Sequence, residues 1–338
     1  MPLTLVVPGL LDLPATALAA VDARAPSLSR LVASSARAAS EPDGSIAAAC
    51  RACGLEKQDD WPLAPPLARA MGIDPGSAYW LRADPATLAV GANDVRLSAL
   101  VDDLAPAHAQ ALVATLNAHF ATDGIAFIAA APACWFVRAQ QVQRIATRPP
   151  EAALGAPLFA FLPSGLDAAR WRRWQNELQM LLFEHPVNLE RQRAGAAPVN
   201  SVWLWGGGTE KPGRPATQSI LAREPLVVDL ARGSAVEVRP PPPGFDALAS
   251  PDATVWLDRV EADDSDRQLE MMDRAWMAPV ERASDAGRLS GLEVVLGGRA
   301  HALRFLPRRP SLAQRLLARF SPPRGSRMLA GAAPAAER

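Results

Sequence analysis

The sequence predicts an α/β protein whose core is interrupted by an inserted α+β subdomain. Leu3–Val7 is a short apolar run typical of a buried strand, and Pro8-Gly9 turns the chain out of it. Helical and strand patterns alternate after this turn, whereas a strand, helix and hairpin order begins near residue 79. We predict four segments, namely an N-terminal core segment at 1–78, the subdomain at 79–165, a C-terminal core segment at 166–320 and a disordered tail at 321–338.

The N-terminal core segment carries two predicted helices after its opening strand. The first falls in the region Ala25–Ala38, where Pro26 occupies the first turn and leucines share one face. The second is a short helix at Leu67–Met71, which Gly72 ends.

The subdomain is predicted to hold two hairpins around one helix. Leu88–Val90 and Val95–Leu97 pair as strands around a Gly-Ala-Asn-Asp turn. Pro106–Phe120 has the apolar spacing of an amphipathic helix, and Ile125–Ala129 with Trp135–Val137 forms the second hairpin.

The C-terminal core segment alternates helices with buried strands. The predicted helices are Leu166–Phe183, Leu269–Met277 and a short basic helix at Ser311–Phe320. The predicted strands are Leu226–Leu230, Val255–Val260 and Leu292–Leu296.

Bulk composition excludes several classes of function. The chain has 338 residues, 49% of them hydrophobic, and a formal net charge of zero. A neutral chain has no global field that would attract nucleic acid or an anionic bilayer. No run approaches the roughly 20 apolar residues that span a membrane, and the amino end lacks a positively charged leader. We therefore expect no nucleic-acid partner, no membrane partner and a cytoplasmic location.

Three cysteines also favour a reducing compartment, because one stays unpaired in any disulfide scheme. Cys50 and Cys53 have the spacing of a redox or zinc half-site, and Cys134 stands apart. A structural zinc site needs two more ligands, and no second cysteine or histidine pair is in reach by sequence. We expect Cys50 and Cys53 to be packed on a helix.

The stretch from His185 to Gly208, HPVNLERQRAGAAPVNSVWLWGGG, is the most informative region of the chain. The order of residues predicts a helix end, a loop, a buried strand with two tryptophans and a tight glycine turn. Loops at the carboxyl end of such a strand often carry function in α/β domains.

Several stretches carry a resemblance to a known family. They are Val6–Asp12, Ala25–Leu31, Gly72–Pro75, Arg82–Asp84 and the segment from His185-Pro186-Val187-Asn188 to Trp203-Leu204-Trp205-Gly206-Gly207-Gly208. With them the chain resembles the RpfE-type regulatory protein family of bacteria. That family is similar to the archaeal-type, cofactor-independent phosphoglycerate mutases of the alkaline-phosphatase-like superfamily. The resemblance implies an alkaline-phosphatase-like three-layer core with an inserted α+β subdomain.

The chain departs from the residues that the mutase mechanism requires. In this superfamily two divalent metals activate a serine or threonine and clamp the phosphoryl group. Pro8 stands where the opening aspartate ligand would be, and no serine or threonine occurs between Cys53 and Ser77. After Gly208 the one histidine is His301, which alanines flank. We therefore predict no catalytic residues, no metal site and no cofactor, and we interpret the acidic residues of 258–266 as a solvated loop.

Polar residues around the tryptophan strand support one candidate pocket for a small anion. Arg82 and Arg191 would supply charge-assisted bonds and the glycine turn would supply amides. The competing interpretation is structural, with His185 and Asn188 capping a helix and Asn200 shaping a turn. The predicted ligand-binding residues are Arg82, His185, Asn188, Arg191, Asn200, Trp205, Gly206, Gly207 and Gly208.

Two functions follow from these observations. The preferred one is a non-catalytic regulatory or binding protein on a degenerate phosphoglycerate-mutase-like scaffold, with a small phosphorylated metabolite as its ligand. The alternative is an active phosphoglycerate mutase or phosphatase-like enzyme with an altered site. The sequence assigns no protein partner.

Overall fold

The apolar run Leu3–Val7 forms a strand as predicted, and helices and strands are interspersed along the described residues. The computed structural model describes residues 3–91, 94–211, 213–308 and 325–330. The strands are β1 (Leu3–Val7), β2 (Ser35–Glu41), β3 (Tyr79–Val90), β4 (Val95–Leu100), β5 (Ile125–Ala131), β6 (Cys134–Ala139), β7 (Ser201–Thr209), β8 (Ser219–Leu221), β9 (Glu237–Arg239), β10 (Ala253–Trp256), β11 (Leu292–Gly297) and β12 (Ala302–Pro307). The helices are α1 (Ala15–Arg24), α2 (Pro26–Ala33), α3 (Ile46–Ala52), α4 (Ala64–Ala70), α5 (Pro106–His119), α6 (Pro150–Ala153), α7 (Ala168–Phe183), α8 (Pro186–Arg193), α9 (Pro225–Gly233), α10 (Ser265–Met272), α11 (Ala278–Asp285) and α12 (Ser326–Ala330). The α/β class predicted from the sequence is confirmed.

The chain divides into two units. The first consists of Met1–Cys53 and Pro215–Arg338, and the second, Gly54–Arg214, is inserted between these segments in sequence. The inserted unit therefore begins and ends at different residues from the subdomain predicted at 79–165. The reason is that α4 packs on β3 and β7, while β7 itself pairs with β3.

The first unit is built on a mostly parallel sheet. Over the described residues its strand order is β2-β12-β11-β1-β10-β8-β9, and only the pairings of β12 are antiparallel. Leu5 of β1 lies opposite Val255 of β10 and Val294 of β11. Because β1, β10, β8 and β9 run parallel, their carboxyl ends meet at one edge of the sheet, where α/β proteins bind ligands.

Helices cover this sheet, which explains why its central strands are mainly apolar. Leu5, Val6 and Val7 are fully buried, as in parallel sheets with both faces covered. The core combines side chains of β1, β10 and β11 with those of α1, α2, α10 and α11. A π-helical turn, Asp273–Met277, joins α10 to α11.

The second unit is built on an antiparallel sheet. Among its described residues the order is β4-β3-β6-β5, and β7 also pairs with β3. Helices α5 and α7 pack against it, and Trp171 meets Trp174 edge-on with ring centroids 5.0 Å apart. The predicted hairpin of β5 and β6 and the predicted helices at α5 and α7 are confirmed.

Two short apolar or glycine-rich runs were predicted wrongly. Leu226–Leu230 lies in the helix α9 instead of a strand, because Pro225 opens a helical turn and Val227, Leu230 and Ala231 share its buried face. The glycines after the tryptophan strand do not form a tight turn, since β7 continues through all three of them to Thr209.

The ends of two other predicted segments also differ from the structure. The helix expected within Ala25–Ala38 ends at Ala33, and the chain then enters β2. Within the tail predicted to be disordered, residues 325–330 include α12, whose Leu329 is buried in the core of the first unit. The predicted helix Ser311–Phe320 lies outside the described residues. None of the described helices combines the length and apolar composition needed to cross a bilayer.

Candidate functional site

The sequence-predicted ligand residues all lie in the second unit, in two groups of contacts. His185, Asn188, Arg191 and Asn200 lie on α8 or in the loop that leads to β7. Arg82 and the residues Trp205–Gly208 lie on the paired strands β3 and β7.

His185 forms the N-cap of α8. Its Nδ1 accepts a hydrogen bond from the Val187 amide at 3.2 Å, and its Nε2 lies 3.0 Å from the hydroxyl oxygen of Thr115. Burial lowers the pKa of His185, which favours the neutral ring. With Nδ1 accepting, that ring donates through Nε2 to Thr115, so both ring nitrogens have protein partners.

The side-chain amides of Asn188 and Asn200 pair with backbone groups, as a peptide group of a neighbouring strand would. The Asn188 Nδ2 group donates to the carbonyls of Leu182 and Val199 at 2.7 and 2.8 Å, and its Oδ1 accepts from the Val199 amide at 2.8 Å. Asn200 bonds in the same way to both backbone groups of Leu88. Both side chains therefore stabilise the loop that leads to β7. This is the kind of structural role that the competing interpretation gives them.

Arg191 is buried and joins this loop to a neighbouring segment. Its Nε donates to the Ala197 carbonyl at 2.8 Å, and its Nη2 donates to a carboxylate oxygen of Asp103 at 2.6 Å. The Arg191 side chain is only 5% exposed, whereas that of Asp103 is 61% exposed.

We expect Arg191→Ala to lower the free energy of unfolding by about 2 kcal/mol, because it removes the hydrogen bonds of a buried guanidinium to Ala197 and Asp103. Urea denaturation followed by tryptophan fluorescence measures this loss. Arg193→Ala, on the same helix at an exposed position, is the control and should change stability by less than about 0.5 kcal/mol. Unchanged stability of Arg191→Ala, together with loss of stabilisation by a phosphorylated metabolite, would instead assign Arg191 to a ligand.

Arg82 is enclosed by aromatic rings and a carboxylate. Its guanidinium carbon lies 5.3 Å from the ring centroid of Phe136 and 5.7 Å from that of Trp205. The guanidinium pairs with Asp84, which also accepts a hydrogen bond of 2.6 Å from Trp205 Nε1. Burial raises the pKa of Asp84, and the charge of Arg82 opposes that rise.

Two of the three glycine amides expected to face an anion bond to a buried network instead. Gly206 donates to the Thr147 hydroxyl at 3.0 Å, and Gly207 donates to a carboxylate oxygen of Asp60 at 3.4 Å. Asp60 also accepts from the backbone amides of Trp61 at 2.7 Å and Thr147 at 3.0 Å, and from the Thr147 hydroxyl. The role of these glycines in ligand binding therefore stays a prediction.

Asp60 and Thr147 are the residues of this network that sequence reasoning missed, and Tyr79 lies beside it at Gly207. Burial raises the pKa of Asp60 to about 6, although its hydrogen bonds from Thr147, Trp61 and Gly207 favour the charged form. The hydroxyl of Tyr79 is buried without a hydrogen-bond partner among the described residues. Burial and the charge of Asp60 raise the pKa of Tyr79. The one local sign that Asp60 is buried was its position directly before the apolar residues Trp61–Leu63.

The cysteine pair is placed as predicted, on α3 and at its end. Cys50 and Cys53 are both buried, and no disulfide joins them. Burial raises the pKa of Cys53 to about 12, so its thiol stays protonated at neutral pH.

A cavity of about 450 Å³ opens at the carboxyl edge of the first unit's sheet. Residues after β8, β9 and β10 form one side of it, and α10 with the π-helical turn forms the other. Its lining contains three arginines, two aspartates and an apolar wall, namely Arg223, Arg259, Arg267, Asp258, Asp264, Pro241, Pro242, Pro243, Leu257, Val260, Met272, Ala275 and Trp276.

The carboxylates at this edge face arginines. Asp12, in the loop after β1, lies 2.6 Å from Arg259, which also lies 3.3 Å from Glu261. Asp258 lies 3.6 Å from Arg223. Asp264 lies 3.9 Å from Arg267. Among the described residues, no group of three or more His, Cys, Asp or Glu side chains is placed to hold a metal ion.

The chain is similar in sequence to 2,3-bisphosphoglycerate-independent phosphoglycerate mutases. It is 28% identical over 240 residues to the enzyme of Methanosarcina mazei, covering 63% of this chain and 59% of that protein. It is 30% identical over 156 residues to mutase 2 of Methanothermobacter thermautotrophicus, covering 45% of this chain and 38% of that protein. The chain thus spans less than two thirds of these relatives. No family model matches it.

Two solved structures match over most of the chain. One is the cofactor-independent phosphoglycerate mutase from Thermoplasma acidophilum, with a TM-score of 0.42, 17% identity and coverage of 90% of this chain and 89% of that one. The other is the PH0037 protein from Pyrococcus horikoshii, with a TM-score of 0.44, 14% identity and coverage of 90% of this chain and 87% of that one. The sequence similarity confirms the predicted distant resemblance to the cofactor-independent mutases.

Proposed function

We propose that this chain is a non-catalytic binding or regulatory protein of the RpfE type, on a scaffold similar to the cofactor-independent phosphoglycerate mutases. In this proposal it binds a small phosphorylated metabolite without transferring the phosphoryl group. A two-metal mechanism requires carboxylate and imidazole side chains that converge on cations.

The observation that carries the proposal is the pairing of acids with arginines at the carboxyl edge. Asp12 and Glu261 share Arg259. A divalent cation at these carboxylates would have to displace a guanidinium, and the positive charge nearby would repel it. The same arrangement favours an anionic ligand.

The loop after β1 supports the proposal independently. Pro8 offers no side-chain oxygen at the end of this strand. Gly9 follows in a left-handed conformation, with φ of 81°, and a Cβ atom there would lie 2.5 Å from the Val260 carbonyl oxygen. A ligating side chain at Gly9 would therefore be both strained and in collision with the loop after β10.

We expect the purified protein to show no metal-dependent turnover of 3-phosphoglycerate or p-nitrophenyl phosphate. The assay adds Mn²⁺, Zn²⁺ or Mg²⁺ in excess and runs a cofactor-independent phosphoglycerate mutase in parallel as the positive control. Elemental analysis of the same preparation should find well under one equivalent of transition metal per chain. A rate that increases with protein concentration and disappears with EDTA would support the enzyme alternative and overturn the proposal.

Metabolite binding is checked in the presence of EDTA. We expect 3-phosphoglycerate or a related phosphate ester to raise the thermal unfolding midpoint, because a ligand that binds only the folded state stabilises it. Glycerate is the matched control, since it lacks the phosphate.

A further inference from the structure

The cavity at the carboxyl edge of the first unit combines charge with an apolar wall. We call it the arginine cavity and define it by Arg223, Arg259, Arg267, Met272 and Trp276. Its volume of about 450 Å³ lies in the range of small-molecule sites. Such sites are typically apolar, with a few polar groups that orient the ligand.

Elements far apart in sequence converge to build this cavity. Arg223 follows β8, Arg259 follows β10 and Arg267 lies on α10. The π-helical turn brings Trp276 to the wall, and a π turn inside a helix is frequently found at functional sites. The first residue of that turn, Asp273, is anchored by the backbone amide of Leu28 at 2.9 Å.

The three guanidinium groups are not equally constrained. Arg259 is held by Asp12 at 2.6 Å. Arg223 and Arg267 lie 3.6 and 3.9 Å from Asp258 and Asp264, beyond hydrogen-bond distance, and their side chains are 57% and 75% exposed. Arg223 also donates one hydrogen bond, of 3.2 Å, to the Pro241 carbonyl. Ion pairs with such exposed side chains and such long distances contribute little to stability. An oxyanion that accepts two bonds from each guanidinium would therefore compete well with Asp258 and Asp264.

Resting on the proposed binding function, we propose that the arginine cavity binds an amphiphilic organic anion. Its oxyanion head group lies between Arg223 and Arg267, and its apolar body packs against Met272 and Trp276. Arg259, which Asp12 already holds, lines the same cavity. The shared chemistry is an oxyanion on an apolar body, whether the head group is a phosphate or a carboxylate.

The binding experiment uses the full chain and the fluorescent probe 8-anilinonaphthalene-1-sulfonate, an aromatic anion. Three competitors share one ring system and differ in the head group: 1-naphthyl phosphate, 1-naphthoate and the neutral 1-naphthalenemethanol. We expect at least one of the two anions to displace the probe at a concentration at least ten-fold lower than the neutral alcohol. The order of 1-naphthyl phosphate and 1-naphthoate identifies the head group. Equal displacement by all three would overturn the proposal, because charge would then play no role.

Variants locate the site. The double variant Arg223→Gln/Arg267→Gln should bind the displacing anion at least ten-fold more weakly, with an unchanged thermal midpoint because both side chains are exposed. Arg232→Gln and Arg239→Gln are the matched controls in the same unit, since these exposed arginines also pair with acids but do not line the cavity. Unchanged affinity of the double variant would overturn the site. Metal-dependent turnover would overturn the proposed function and leave the effect of the double variant on anion binding intact, so the two failures are distinguishable.

Discussion

Gly208→Ala is expected to lower the free energy of unfolding by about 3 kcal/mol, at the upper end of over-packing costs. Gly208 lies in β7 opposite Trp80, in a fully buried stretch of the strand. A Cβ atom there would lie 2.4 Å from the Cβ atom of Pro62 and 2.9 Å from its Cα atom. A proline ring and its backbone cannot rotate away, so the strand or the segment before α4 must move. Urea denaturation followed by tryptophan fluorescence measures the loss.

Gly195→Ala is the matched control for this prediction. Gly195 has a φ of +75°, but a Cβ atom there would meet nothing within 4 Å. The control therefore carries only the cost of a left-handed alanine, about 1 kcal/mol. If Gly208→Ala costs no more than the control, then packing does not explain the glycine, and the ligand role predicted for Gly208 gains support.

Asp60→Asn is expected to change how stability depends on pH. The pKa of Asp60 in the folded protein is about 6, raised by burial from an ordinary value of 3.8. The folded protein thus holds this proton more tightly than the unfolded chain does. The stabilisation from protonated Asp60 is complete below about pH 4 and is lost as the pH rises through 6.

The measurement compares urea denaturation of the two proteins between pH 4 and pH 7. The free energy of unfolding of the natural chain, minus that of Asp60→Asn, should fall by about 2 kcal/mol over this interval. The asparagine side chain of the variant also changes the free energy of unfolding by an amount that does not depend on pH. This amount cancels when values at two pH values are compared. Thr147→Val removes a hydrogen bond that favours the charged carboxylate, so it should raise the pKa of Asp60 further. The loss of stability should then occur at a higher pH. A difference that stays constant with pH would show that burial does not control this carboxyl group.

Local sequence patterns predicted those helices and strands whose residues carry a clear periodicity of their own. Helix α5 and helix α7 have apolar spacing over three or more turns, and β5 with β6 forms a hairpin with a short connection. Leu226–Leu230 was predicted wrongly because five apolar-rich residues fit a buried strand as well as one face of a helix.

The candidate sites could be predicted only partially, because their partners are distant in the chain. Asp60 meets Thr147 across 87 positions and Gly207 across 147. Arg82 and Arg191 were predicted from the sequence as ligands of an anion, and that role stays a prediction. The sequence gives no sign that Asp84 and Asp103 already pair with them in the folded chain.

Residue identity and local order are enough to establish the α/β class, the distant similarity to the mutases and the absence of an oxygen ligand at Pro8. Which charged side chains meet depends on the folded chain. Asp12 and Arg259 stand 247 positions apart, yet their atoms come within 2.6 Å because β1 and β10 are neighbours in the sheet. Strand order sets that distance, and it arises from packing of the whole unit, which no short stretch of sequence encodes.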